Sequence, residues 1–214
     1  MNHHIYYTAL GDSLTAGISG LFKKGFVQKY ASLLENHLQR PVIPHIFAKP
    51  RITSSYLLNM MRTNPEIYRS IYHSSVITIT IGGNDLLQAN RAYNKTKDFR
   101  VFEKAYYTYY ENITKIIQLI QSIKKQSNDS EYVIQFIGVY NPFPNLPYGD
   151  HWVHQFNSLL ASFSNENIIY VDVHSPFSQY GKKVLSLGIH PNGKGYEVMA
   201  NQLFQSLNTD RDTS

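Results

Sequence analysis

At 214 residues, with 43% hydrophobic and 16% charged content, the chain is predicted to form one soluble domain, residues 1–214, with ample core. It contains no cysteine, which excludes disulfides, thiolate metal sites and cysteine nucleophiles. The formal charge of +5 is scattered: Lys23-Lys24, Lys124-Lys125 and Lys182-Lys183 read as solvated turns and helix ends, so no nucleic-acid partner is expected.

Neither a basic, apolar leader nor a span of roughly 18 apolar residues is visible, so no signal peptide or transmembrane segment is expected. The first strand is expected over 5–10 and is followed at once by Gly11-Asp12-Ser13-Leu14-Thr15-Ala16-Gly17. This turn places a serine hydroxyl where a strand ends, although a bare Gly-Asp-Ser is also an ordinary helix cap. A helix over 26–38, a strand over 42–47 and a helix over 53–61 come next, the last stopped by Asn64-Pro65. Further strands are expected over 76–81, 132–139 and 168–173, all nearly continuous apolar runs suited to burial on both faces.

A long amphipathic helix over 98–125 carries Tyr106-Tyr107-Thr108-Tyr109-Tyr110, read as a mixture of core and surface aromatics. Two more helices fit 150–163 and 193–207, with a frayed tail after Asn208. Alternating β and α of this kind predicts a parallel sheet covered by helices on both faces, with ligands at the carboxyl ends of the strands.

That rim gathers the candidates. Ser13 follows the first strand, and Ile81-Gly82-Gly83-Asn84-Asp85 follows the third, so Ser13 and Asn84 meet if those strands are neighbours. His190, in Gly188-Ile189-His190-Pro191-Asn192-Gly193, lies before the last helix and is the best placed of the nine histidines to act as a base. His151 and His154, spaced i,i+3, lack a third ligand and are not expected to bind metal. Asp12 and Asp85 are expected to bond loop amides and so hold Ser13 and Asn84 in place. Asp172 is read as a strand-end cap rather than a catalytic helper. The stiff loop Pro142-Phe143-Pro144-Asn145-Leu146-Pro147 is expected to wall an acyl pocket, with Phe143 and Pro144 touching substrate.

The Gly-Asp-Ser turn, the Gly-Gly-Asn-Asp block and the His-Pro loop, in this order, resemble the SGNH (GDSL) hydrolases. Phe47-Ala48-Lys49, Asn84-Asp85-Leu86-Leu87-Gln88 and Tyr140-Asn141-Pro142-Phe143-Pro144 are similar to the spore-germination lipases of bacilli. The resemblance implies a flavodoxin-like three-layer α/β/α sandwich with a five-stranded parallel sheet. It implies a serine esterase or lipase acting on lipid or phospholipid acyl esters through an acyl-enzyme, without metal or cofactor. Ser13 would be the nucleophile and His190 the base. The oxyanion would be held by the Ser13 N–H, the Asn84 amide and a backbone N–H after the second strand, here that of Arg51. The partner would be a small-molecule or lipid ester, met in the cytoplasm or a spore layer, with peripheral membrane contact.

Two positions depart from the family pattern. Pro50-Arg51 stands where a glycine is usual, and the Arg51 guanidinium could meet a substrate phosphate. Leu187 stands where an aspartate usually precedes the histidine by three residues, so a backbone carbonyl at Leu187 would replace the acid and activity would fall without vanishing. The alternatives are a carbohydrate O-deacetylase, a catalytically silent binding module and a flavin protein of flavodoxin type.

Overall fold

The computed structural model of the chain describes residues 4–18, 25–127, 131–186 and 188–209. Five strands form one all-parallel sheet in the order β2-β1-β3-β4-β5: β1 Ile5–Gly11, β2 Val42–Ala48, β3 Val76–Thr80, β4 Val133–Ile137 and β5 Ile168–Val171. The reversal of strand order lies between β1 and β3, the position at which open α/β sheets form their ligand crevice. Gly11 pairs with Ala48 on one side and Thr80 on the other, so three strands end level with one another at that edge.

The described residues form eight α-helices around the sheet: α1 Phe26–Leu38, α2 Ser54–Thr63, α3 Pro65–His73, α4 Gly83–Thr96, α5 Arg100–Ser127, α6 Gly149–Ser162, α7 His174–Tyr180 and α8 Gly193–Thr209. Alternating strand residues face opposite layers. Tyr7 and Ala9 pack with α1, α7 and α8, whereas Ile77, Ile79, Ile134 and Phe136 pack with α2, α3, α5 and α6. This is the expected α/β/α sandwich with its five-stranded parallel sheet.

The sequence reading missed three helices. Asn64-Pro65 does end α2, but it also starts α3: Pro65 fills the first helical position, and Asn64 accepts the Glu66 N–H at 2.9 Å. Helix α4 is largely polar, and α7 is only seven residues long, so neither gives a strong apolar period. The fourth and fifth strands are shorter than expected, because Tyr132, Val139 and Asp172 lie outside the ladder.

Lys124 corrects the view of it as a solvated helix end. It is buried, and its ammonium donates to the carbonyls of Tyr72 and Ser74 ahead of β3. Lys125, Lys182 and Lys183 are exposed, while Lys23, Lys24 and the residues after 209 lie outside the described residues. Among the described residues, no helix is long and apolar enough to cross a membrane.

Candidate active site

Ser13 sits at the carboxyl end of β1 on a turn built largely from its own backbone. The Asp12 N–H donates to the Thr80 carbonyl, and the Ala16 and Ile18 N–H groups donate back to Asp12 and Ser13. Gly11 has φ of 150°, and a Cβ there would overlap the carbonyl and hydroxyl oxygens of Thr80. Only glycine lets the two strands end so close together. The Asp12 carboxylate accepts from the Leu14 N–H at 3.0 Å and the Thr80 hydroxyl at 3.0 Å, so it braces the turn as expected.

His190 reaches Ser13 from the far end of the chain, its Nε2 lying 2.9 Å from the Ser13 Oγ. The loop that presents it is knitted together. Leu185 bridges Pro191, the N–H and hydroxyl of Ser186 both donate to the His190 carbonyl, and the Asn192 amide donates to Lys183 and Leu185. Asn192 also caps α8 by accepting the Lys194 and Gly195 N–H groups. Burial holds the His190 pKa below its ordinary value. Leu187 lies outside the described residues.

Asn84, in the first turn of α4, points its amide toward Asp12 at 3.5 Å. The backbone reaches it through Gly82, whose φ of 111° sets it against the ring of Tyr109, and the Tyr109 hydroxyl donates to the Ile81 carbonyl. Tyr109 is thus the core member of the tyrosine cluster, whereas Tyr107 and Tyr110 are exposed.

Asp85 does more than bond a loop amide. Its carboxylate accepts both the N–H and the hydroxyl of Ser54, and Asn112 of α5 donates to the hydroxyls of Ser54 and Ser55. This joins α4, α5 and the loop carrying Arg51, which is fastened at its other end by the Lys49 N–H on the Gly11 carbonyl. Burial pushes both Asp12 and Asp85 up to about 6. Arg51 takes φ of 65°, the left-handed region that suits the glycine usual at this point. It is exposed and stands outside the cleft lining.

An apolar cleft opens beside Ser13, Asn84 and His190 and runs between α4 and the segment after β4. Phe143 lines it and is 39% exposed, while Pro144 is exposed and outside the lining, so only the first of the expected pair borders the cleft. Asp172 accepts the His174 and Ser175 N–H groups, the capping role expected of it. His151 packs on Trp152, and His154 faces His174. Among the described residues no group of three or more His, Asp or Glu side chains is disposed to hold a metal ion.

Three of the aromatic residues that line the cleft, Phe102, Tyr148 and Trp152, escaped the sequence reading. Phe102 comes from α5, whereas Tyr148 and Trp152 sit one turn apart at the start of α6, so no single segment marks all three as neighbours.

Residues 9–198 match the GDSL-like lipase/acylhydrolase family. The spore germination lipase LipC of Bacillus licheniformis is 38% identical over 202 residues, covering 93% of this chain and 94% of the relative. An uncharacterized Bacillus subtilis protein, YpmR, is 28% identical over 95% of this chain and 82% of its own length. Among solved structures, the lipase Lip_vut3 from a goat rumen metagenome superposes with a TM-score of 0.89 at 37% identity, covering 94% of this chain and 97% of that one. Axe2, an acetylxylan esterase from Geobacillus stearothermophilus, shares the fold, with a TM-score of 0.69 at 15% identity over 96% of this chain and 94% of its own. The chain belongs to the GDSL-like lipase/acylhydrolase family.

Proposed function

We propose that this protein hydrolyses lipid acyl esters through an acyl-enzyme on Ser13. The observation that carries the reading is the 2.9 Å contact between the Ser13 Oγ and the His190 Nε2, both of which line an apolar cleft. In the proposed cycle Nε2 takes the Ser13 proton as Oγ attacks the ester carbonyl. The resulting oxyanion meets the Ser13 N–H, the Asn84 amide and the Arg51 N–H, and the alcohol leaves with the proton held on Nε2. A water then gives its proton to Nε2, attacks the acyl carbonyl, and releases the acid as Ser13 recovers its proton. Leu187 supplies no carboxylate to this cycle, so the proposed base works with a backbone carbonyl in place of the usual acid.

The lining favours an acyl chain over a sugar, because Leu87, Val139, Phe143 and Ile189 present hydrocarbon. Phe143, bordering the cleft yet exposed, suits contact with a lipid surface. The name of the licheniformis relative favours action in the spore.

The test is turnover of a graded series of esters by wild type and Ser13→Ala. Loss in the variant with long-acyl or phospholipid turnover in the wild type supports the lipase. Acetyl-only turnover would replace it with an O-deacetylase, and equal background in both proteins would leave a silent binding module.

A further inference from the structure

We infer that the cleft is blind, and that Phe102, Tyr148 and Trp152 close its far end so that it accepts acyl chains of medium length and excludes long ones. This inference rests on the acyl-ester reading above and concerns what limits the chain.

The cleft follows α4. Asn84, Leu87 and Asn90 all line it, and at 1.5 Å rise per residue Asn90 lies about 9 Å along the helix from Asn84. Asn84 lies against Asp12, next to Ser13 and His190, so the Asn90 end is the one remote from the reacting groups. At that remote end the Tyr148 hydroxyl donates to the Asn90 side-chain carbonyl at 2.8 Å, joining the start of α6 to α4 across the cleft. The Tyr148 ring packs on Phe102 with centroids 5.4 Å apart. Phe102, from α5 and only 2% exposed, stacks on Trp152 at 5.2 Å and 11°. Tyr93 and Phe99 back this group from outside the lining.

The resulting wall draws on α4, α5 and α6, and moving it means unstacking aromatics and breaking the Asn90–Tyr148 bond together. The cavity it bounds is small, about 110 Å³. A chain long enough to reach the wall gains apolar contact with each methylene until it arrives there, and beyond that point it must displace protein. Preference should therefore rise with chain length and then fall, with Trp152 at the turning point.

Trp152 is the only tryptophan of the chain, so it reports on this end directly. Ser13→Ala, which cannot turn substrate over, is titrated with butyrate, octanoate and palmitate while tryptophan emission is followed. Octanoate should perturb the emission saturably, butyrate should not, and palmitate should bind more weakly than octanoate. In parallel, Trp152→Ala should raise kcat/KM for palmitoyl relative to butyryl esters by about tenfold. Tyr148→Phe, which removes only the hydroxyl on Asn90, should shift the same ratio in the same direction by about threefold and remains informative if Trp152→Ala does not fold.

An emission change independent of chain length, or an unaltered length profile in a folded Tyr148→Phe or Trp152→Ala, overturns the inference. Failure of Ser13-dependent hydrolysis on every ester would instead remove the proposed function, and the emission titration would still decide whether the cleft is a length-limited hydrocarbon site.

Discussion

The Tyr140 hydroxyl donates to the Ile189 carbonyl at 2.5 Å, fastening the residue before His190 to the chain just beyond β4. Tyr140 is buried and packs on Phe177 at 4.5 Å, so its own position is fixed. With Ser186 gripping the His190 carbonyl, the imidazole is aimed by backbone contacts on both sides. Tyr140→Phe keeps the ring and removes the donor, leaving Ile189 short of one bond worth about 1 kcal/mol. The expected result is a fall in kcat of about threefold to tenfold with KM nearly unchanged. Equal losses in kcat and melting temperature for Tyr140→Phe and a packing variant such as Phe177→Leu would mean that Tyr140 serves the core alone.

Arg51 pays for its left-handed backbone with strain that glycine would not feel, on the order of 1 kcal/mol. Glycine also loosens the unfolded chain by a similar amount, so Arg51→Gly should leave stability within about 1 kcal/mol of wild type. Because the proposed donor is the backbone N–H, turnover of a neutral ester should survive. The same assay on a phospholipid separates the side chain's part: equal responses make the guanidinium a surface group, and a selective loss assigns it to a phosphate.

Strand existence was the most legible part of the fold, because Ile77, Ile79 and Ile134 belong to runs too apolar for any place but a doubly covered sheet. The candidate pair was legible for a different reason. Ser13 and His190 stand 177 positions apart, and the expectation that ligands collect at strand ends, together with the resemblance to the SGNH (GDSL) hydrolases, brought them together. The Asp85–Ser54–Asn112 link and the Phe102–Trp152 stack were illegible, since each is a contact between elements whose relative rotation no single segment encodes. Lys124 failed in the opposite direction: a lysine pair at a helix end is usually solvated, and tertiary packing turned one member inward.

The two buried carboxylates give stability a distinctive dependence on pH. Asp12 and Asp85 titrate at about 6 in the fold against an ordinary 3.8, so the folded state binds protons more tightly than the unfolded state. Their contribution is complete below the ordinary value and is lost as pH rises through about 6, so stability from these groups falls across that window. For Asp85 the swing is at most about 3 kcal/mol. Asp85→Asn should flatten the fall, which urea midpoints at about pH 4 and about pH 7 would read. An unchanged difference between the two midpoints would show that Asp85 does not carry it.

In the proposed cycle His190 would set the acid limb of activity. Its pKa lies below the ordinary 6.5 because burial disfavours the imidazolium, so kcat/KM should reach its plateau at lower pH than an ordinary histidine would allow. Restoring the family's acid tests the other half of the argument. In Leu187→Asp a carboxylate would favour the imidazolium, moving the limb to higher pH and raising kcat by about tenfold. A profile identical to wild type would mean that the introduced carboxylate does not reach the imidazole.

Asn84 offers the sharpest separation between binding and chemistry. Its amide has one long contact, 3.5 Å to Asp12, and the side chain is only partly buried, so removing it should cost the fold little. In the proposed cycle that amide meets charge that exists only after Ser13 has attacked, and a side-chain donor of this kind is worth about 10² to 10³ in kcat. Asn84→Ala should therefore lose kcat by that order while KM and melting temperature stay near wild type. Asn84→Asp, of the same size but without a donor and with added negative charge beside the oxyanion, should lose at least as much. A loss below about fivefold in both would leave the oxyanion to the Ser13 and Arg51 N–H groups, and would move Asn84 from the reaction to the simpler task of holding Asp12.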